Sequence, residues 1–447
     1  MPAVSEPLGH GPSACGQGSQ TALLTFQPSS LLMLGLLGLG AAFEGGAGPR
    51  LASAASLVYA MSLKAFFYTC LDYDPSITAT LLDVLPIAGC TLAVTVLPST
   101  LSARGWTSTL PGGIDVGAVA AHALALLSLV LARRLYTRQV VGKKFKAEEV
   151  TGRVYIVTGS NTGLGYETAK ELVRMGGVVI MACRSVDRAK VAREALLREV
   201  AICKPNQLAV LPLDLNSFAS VRAFVQEFEK LKLPLHCLIN NAGLMMSERS
   251  VTPDGHEVVM TANHLSAFLL TSLLVPALEA GAKKLGTYSR IINVSSSLHQ
   301  IPKAFNFDDV MSQKHFELFA TYSQSKLANI LFTRALHKRL TQNGLHITAN
   351  TLHPGFVRTE VTRHMNAFLY WGDKLATPIM LTLQKTPPQG AYCTIHLAIS
   401  PLLEGRGGAY FVNSEEAQPS AAALSDVDAE RLWTLSDEIT KAKWSWK

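Results

Sequence analysis

The chain of 447 residues is 48% hydrophobic and only 16% charged, against about 25% charged in ordinary globular chains. Its net charge of +7 does not mark a nucleic-acid binder. Much of the basic excess lies in one cluster, Arg133, Arg134, Arg138, Lys143, Lys144 and Lys146, and a basic cluster beside an apolar segment is a feature of membrane topology.

Residues 1–145 read as a membrane region with two to four transmembrane helices. No Asp, Glu, Lys or Arg occurs between Pro7 and Phe43 or between Val116 and Ala132. The best span is Val116–Ala132, near the shortest length that crosses about 30 Å of hydrocarbon. A second runs from Ala22 to Phe43. Weaker spans are Leu51–Leu71, which carries Lys64, and Ile77–Pro98, which carries Asp83; a charge at mid-membrane costs a few kcal/mol. A buried helical domain is the plainer alternative. No Lys or Arg precedes Arg50, so a signal peptide lacks its basic start. The basic cluster after Ala132 puts the C-terminal part of the chain in the cytosol. The expectation is a multi-pass protein of the endoplasmic reticulum membrane. The seven cysteines, Cys15, Cys70, Cys90, Cys183, Cys203, Cys237 and Cys393, are scattered and form no C-x-x-C pair. They suggest neither a zinc site nor a disulfide framework, and fit reduced thiols.

Residues 146–447 have another texture. "RVYIVTGSN" is an apolar strand entering a glycine-rich turn, "TAKELVRMG" a helix and "VVIMACRS" a second buried strand. "QLAVLPLDL", "LHCLINNAG", "SRIINVSSS" and "HITANTLHPG" continue the series with helical stretches between them. Such alternation predicts an α/β fold, a doubly wound parallel sheet of Rossmann type with helices on both faces.

The turn "TGSNTGLG" places Gly159, Gly163 and Gly165 between a strand and a helix, with Ser160, Asn161, Thr162 and Leu164 among them. Glycines there let the backbone approach a pyrophosphate, which sits at the positive end of the helix. At the end of the second strand an Asp or Glu would suit a free ribose 2′-hydroxyl. Arg184 stands there instead, which suits a 2′-phosphate and predicts NADP(H). Further on, "LFATYSQSKLANILFTRALHKRL" reads as one helix with Tyr322 and Lys326 a turn apart on the same face. His299 and His353 have no partner at metal-ligand spacing and read as loop or core histidines, with no metal site.

The pieces "TGSNTGLGYETAKEL", "LINNAGLMM", "TANHLSAFLLT", "IINVSSS", "YSQSKLAN" and "HPGFVRTE", in this order from about Thr151 to Glu438, resemble the short-chain dehydrogenase/reductase family, and within it the retinol dehydrogenase-like branch. The resemblance implies that Asp214 and Leu215 hold the adenine edge. It implies that Asn240, Ala242 and Gly243 line the cofactor cleft, and that Pro354, Gly355, Val357 and Thr359 flank the nicotinamide and a phosphate. It makes Ser296 the serine that binds the substrate oxygen and Asn263 the holder of a proton-relay water near the lysine. Tyr322 is then the acid/base. Free tyrosine titrates near 10, and a cation beside the phenolate lowers that value; about 3 pH units would correspond to roughly 4 kcal/mol. Lys326 is expected to supply this cation and to bind the nicotinamide ribose.

The implied function is hydride transfer between NADP(H) and a lipophilic alcohol, aldehyde or ketone, whether retinoid, steroid, polyprenyl or fatty. The rival from another class is a non-catalytic membrane scaffold that kept the fold; an intact Ser296, Tyr322 and Lys326 argue against it. The expected partners are a lipophilic small molecule and the lipid bilayer, with room for a homodimer. Two apolar stretches, His364–Gln384 after "HPGFVRTE" and the terminal "KAKWSWK" with Trp444 and Trp446, suggest a lid and a tail that dock on the membrane.

Overall fold

The computed structural model describes residues 144–357, 385–444 and 446, with a short antiparallel pair of strands at Thr109–Leu110 and Ile114–Asp115. The four expected transmembrane spans, Thr359 and the expected lid at His364–Gln384 lie outside the described residues.

The strands are β1 (Val154–Thr158), β2 (Val178–Cys183), β3 (Leu208–Pro212), β4 (Cys237–Asn240), β5 (Ser289–Val294), β6 (Ile347–His353), β7 (Tyr410–Val412) and β8 (Glu415–Ala417). They form one eight-stranded sheet in the order β8-β7-β6-β5-β4-β1-β2-β3. All neighbours are parallel except β7 and β8. Strands β1, β4 and β5 are buried along their whole length. Covered on both faces, they gain from unbroken apolar runs rather than alternation, which is how "VYIVT" and "CLIN" read.

The helices are α1 (Gly163–Arg174), α2 (Val186–Glu199), α3 (Phe218–Lys230), α4 (Val258–Leu285), α5 (Leu318–Gln342), α6 (Pro387–Ile399) and α7 (Asp426–Thr440). Leu269, Leu274, Leu278, Leu331 and Phe332 from α4 and α5 build the core on one face of the sheet, with Phe224 and Phe228 of α3. Val173 of α1 and Ile395 of α6 build it on the other. Helix α4 is apolar and long enough to cross a membrane, yet its most apolar window is 89% buried inside the fold; it is a core helix.

The chain runs outward through β1, β2 and β3, then returns to place β4 on the other side of β1. That reversal opens a crevice at the carboxyl ends of β1 and β4, where open α/β sheets bind ligands.

The C-terminal tail departs from the sequence expectation. Trp444 is 3% exposed. Its ring stacks on Trp433 of α7 at 4.5 Å and meets Phe268 of α4 edge-on at 5.0 Å. Trp446 packs against the same cluster. The Arg339 guanidinium lies over the Trp433 ring at 4.1 Å. These tryptophans therefore close the core over α4 and α5 rather than face a headgroup layer. Alternating Trp with Lys leaves the lysines outside while the rings go in, and sequence cannot tell that pattern from an interfacial belt.

Candidate active site

The turn after β1 is built around Thr158, whose hydroxyl accepts from the backbone N–H groups of Asn241 (3.0 Å) and Ala242 (2.9 Å). The Asn241 side-chain amide donates to the Thr158 carbonyl at 2.8 Å. These bonds lash the "NNAG" turn to the glycine turn. Space there is tight. A Cβ on Gly165 would lie 2.5 Å from the Gly159 oxygen and 2.6 Å from Asn241 Nδ2. Gly159 itself sits at φ +65°, and a Cβ on it would meet the Cβ of Ala242 at 3.1 Å. Helix α1 begins with Thr162 as N-cap, but the Thr162 side chain makes no capping bond. The amide groups of the first turn thus remain for an anion.

Other expected cofactor residues surround this crevice. The Gly159 N–H donates to the Ala182 carbonyl at 2.8 Å, which holds the turn beside the end of β2 where exposed Arg184 stands. Asp214 is half-buried and accepts from the Asn216 N–H at 3.0 Å; the Leu215 carbonyl accepts from Ser266 of α4 at 2.6 Å. Leu164 and Val357 converge on Gly390 of α6, where a Cβ would meet them at 2.5 and 2.6 Å. Gly355 turns at φ +93°, and buried Lys385 fills the space a side chain would need. The Lys385 ammonium donates to Asn413 Oδ1 at 2.7 Å. Burial pushes its pKa down to about 8.

Two expected cofactor contacts are turned inward. Ser160 is fully buried with Oγ 3.6 Å from Cys183 Sγ. Asn240 is buried, and its amide donates to Asn293 Oδ1 (2.8 Å) and Thr271 Oγ1 (3.2 Å). Their side chains brace the sheet, and the neighbouring Asn241 reaches the glycine turn instead. In a doublet of asparagines, only the pleat decides which side chain faces the crevice.

Ser296, Tyr322, Lys326 and Asn263 come together beside Gly243. Tyr322 and Lys326 lie in the early turns of α5, whose first N–H groups are capped by the Glu317 carboxylate. Lys326 is 3% exposed. Its Nζ donates to the Val294 carbonyl at 3.0 Å and stands 5.5 Å from the centre of the Tyr322 ring. A Cβ on Gly243 would be 3.1 Å from this ammonium and 3.5 Å from Asn263 Oδ1. Ser296 follows β5 in extended conformation and stands near enough to the Tyr322 phenol to favour its ionised form.

Asn263 lies in a π-helical turn, Thr261–Leu265, within α4. Such bulges re-aim side chains and recur at functional sites. Its Oδ1 accepts from the Leu244 N–H (2.8 Å), and its amide donates to the Leu244 carbonyl (3.0 Å) and to Ser325 Oγ (2.9 Å). One amide hydrogen therefore holds the residue after the "NNAG" loop and the other ties α4 to Ser325 of α5. Leu244, Met245, Met246, Val259, Leu298 and Leu318 form an apolar wall around Tyr322.

One electrostatic expectation is reversed. Burial pushes Tyr322 up to about 12, with nearby Ser296 pulling the other way. Burial also pushes Lys326 down to about 8. Proximity alone predicts that the ammonium lowers the phenol. Both groups are removed from water, however, and desolvation disfavours the charged form of each.

The family description "short chain dehydrogenase" matches residues 153–369. Human polyprenol dehydrogenase is 39% identical over 289 residues, 64% of this chain and 85% of that protein. The chain belongs to the short chain dehydrogenase family. Human retinol dehydrogenase 14 is another relative of this short chain dehydrogenase, 40% identical over 337 residues, 72% of this chain and 98% of its own. Among solved structures, an uncharacterized protein from Mycobacterium Paratuberculosis superimposes with a TM-score of 0.53 at 30% identity, covering 68% of this chain and 99% of that one. The protein is thus an oxidoreductase by family, homologous to retinol and polyprenol dehydrogenases.

Thr158, Asn241 and Ser325 lie inside the motifs read from the sequence but were given no role there, and Lys385 had no signal at all. The first two are small polar residues at strand ends, Ser325 is a helix interior position, and Lys385 lies beyond every recognisable motif.

Proposed function

We propose that the protein is a membrane-anchored, NADP(H)-dependent dehydrogenase/reductase of a lipophilic alcohol, aldehyde or ketone, of retinoid or polyprenyl kind. In this reading, residues 1–145 form the membrane region and residues 146–447 the catalytic domain facing the cytosol. The observation that carries it is the convergence of Ser296, Tyr322 and Lys326 against an apolar wall, at the sheet edge beside the glycine turn. The names of the two human relatives support the substrate class.

The residues around the crevice fit a dinucleotide. The uncapped start of α1 and the glycines would hold a pyrophosphate, Arg184 a 2′-phosphate, and Asp214 the adenine side. Bound NADP(H) would supply or accept the hydride. The chain's own residues do the remaining work. Tyr322 gives its phenolic proton to the carbonyl oxygen on reduction and takes it back on oxidation. Ser296 holds that oxygen, so that the proton travels along a made hydrogen bond. Lys326, next to the phenol, stabilises the phenolate once charge develops there. Asn263 keeps Leu244 and Gly243 in place under the reacting atoms. The wall from Leu244 to Leu318 excludes water and favours an apolar chain over a sugar or hydroxy acid.

The test is turnover of retinol, farnesol and a long polyprenol by full-length protein in detergent with NADP+. Tyr322→Phe is expected to lose turnover and to keep its affinity for NADPH, since only the proton carrier is removed. Substantial turnover by the Phe variant would refute the assignment.

A further inference from the structure

We infer that His299 is a positioning residue for this reaction, which locks the peptide plane after Ser296 so that the serine hydroxyl faces Tyr322. The inference rests on the roles proposed for Ser296 and Tyr322.

His299 is fully buried in the turn that follows Ser296. Its Nε2 lies 3.1 Å from the Ser420 backbone N–H. A backbone N–H can only donate, so Nε2 accepts and carries no proton. The neutral ring therefore has its proton on Nδ1. Nδ1 is 2.7 Å from the Ser296 carbonyl oxygen, which can only accept, so the bond runs from His299 to Ser296. Both contacts of the ring agree on one tautomer. The ring is steadied edge-on against Tyr410 of β7 at 5.0 Å.

The other end of the same peptide unit is held as well. The Ser297 N–H donates to Nδ1 of His353, at the end of β6, at 3.1 Å. The carbonyl of Ser296 and the N–H of Ser297 belong to one planar group, and a histidine grips each end of it. Upstream, Ser295 is anchored by its N–H to the Leu352 carbonyl and by its hydroxyl to the Lys326 carbonyl, both at 2.8 Å. With the peptide after Ser296 gripped at both ends and the preceding residue anchored by its N–H and hydroxyl, the Cα–Cβ direction of Ser296 is held. Its Oγ accepts from the Leu298 N–H at 3.2 Å, which leaves the hydroxyl hydrogen for the phenol. Ser420 lies between β8 and α7. The active-site turn is thereby tied to the C-terminal segment, far along the chain from the serine and tyrosine motifs.

The placement has a readout that simple destabilisation lacks. Ser296 beside the phenol opposes the upward push of burial on Tyr322. If Ser296 swings away, the phenol becomes harder to ionise. The rising limb of the pH profile for alcohol oxidation, which needs the phenolate, then moves to higher pH.

The experiment uses full-length protein in detergent, NADP+, and whichever of retinol, farnesol and a long polyprenol the wild type turns over fastest. His299→Phe keeps the ring and its contact with Tyr410 but loses both hydrogen bonds. It is expected to lower kcat by about tenfold or more, as for a misplaced reacting group. The pH limb should shift upward, with KM for NADP+ changed less than twofold. His299→Gln, which can donate and accept, should restore most of kcat and the position of the limb. Ser420→Pro serves if the Phe variant does not fold. Residue 420 already has φ −59°, so proline fits; it removes the N–H that sets the tautomer, and with it a buried hydroxyl that makes no hydrogen bond. It should shift the limb in the same direction. If His299→Phe or Ser420→Pro keeps wild-type kcat and pH profile while Tyr322→Phe is inactive, the inference is wrong by itself. If Tyr322→Phe is active, or the wild type turns over none of the alcohols, the underlying reading falls and the inference with it.

Discussion

Replacing Lys326 with Met is expected to make the fold more stable while abolishing activity. The ammonium is buried, and its pKa falls from 10.5 to about 8 through loss of hydration. At about 1.36 kcal/mol per pH unit, keeping it charged at neutral pH costs the folded state about 3 kcal/mol. Methionine has similar length and carries no charge. It leaves the Val294 carbonyl without the 3.0 Å bond from Nζ, a loss of about 1 kcal/mol. The net gain is about 2 kcal/mol, which for a domain of this size raises Tm by about 5 °C. The pH dependence gives the sign independently. Below about 8 the lysine is protonated in both folded and unfolded chains, and the folded state bears the whole penalty. Between about 8 and 10.5 the unfolded chain still holds the proton that the folded one has released. Wild-type stability therefore rises with pH there relative to the variant. Melting curves of wild type and Lys326→Met, in one detergent at pH 7.5 and pH 10, should show the variant ahead at the lower pH and the gap narrowing at the higher. A variant that melts lower at pH 7.5, or a gap independent of pH, would refute the argument. An enzyme that carries such a lysine trades stability for chemistry.

Other outcomes are expected from the same structure. Arg184→Asp should weaken NADPH and shift the ratio of kcat/KM values toward NADH, because it replaces a phosphate partner by a like charge; an unchanged ratio would remove Arg184 from that role. Trp444→Ala should destabilise the catalytic domain by about 3–5 kcal/mol, as for a buried aromatic, and should lower Tm with no specific loss of vesicle binding. Protease added outside intact microsomes should digest the catalytic domain if the basic cluster from Arg133 to Lys146 lies in the cytosol. Full protection would invert that orientation.

Local chemistry made much of this protein legible from its residues alone. Apolar strands alternating with helices imply a parallel sheet because each strand must be covered on both faces, and the sheet has that form. The glycines after β1 were legible because a residue without Cβ adopts φ +65° most readily and alone leaves room for a backbone oxygen at 2.5 Å from where a Cβ would stand. Tyr322 and Lys326 were legible because helical spacing alone places them on one face. What needed the tertiary structure were properties set by residues distant in sequence. The phenol and the ammonium are raised and lowered in pKa, not drawn together, because the fold removes both from water. The terminal tryptophans are core because α4 and α5 leave an aromatic gap that they fill. Asn241 rather than Asn240 reaches the glycine turn because the pleat of β4 decides it. His299, which reads as an ordinary core histidine, meets Ser420 more than a hundred positions later. No periodicity records such a contact, because it exists only after the sheet has closed and brought the carboxyl edge of β5 beside the segment after β8.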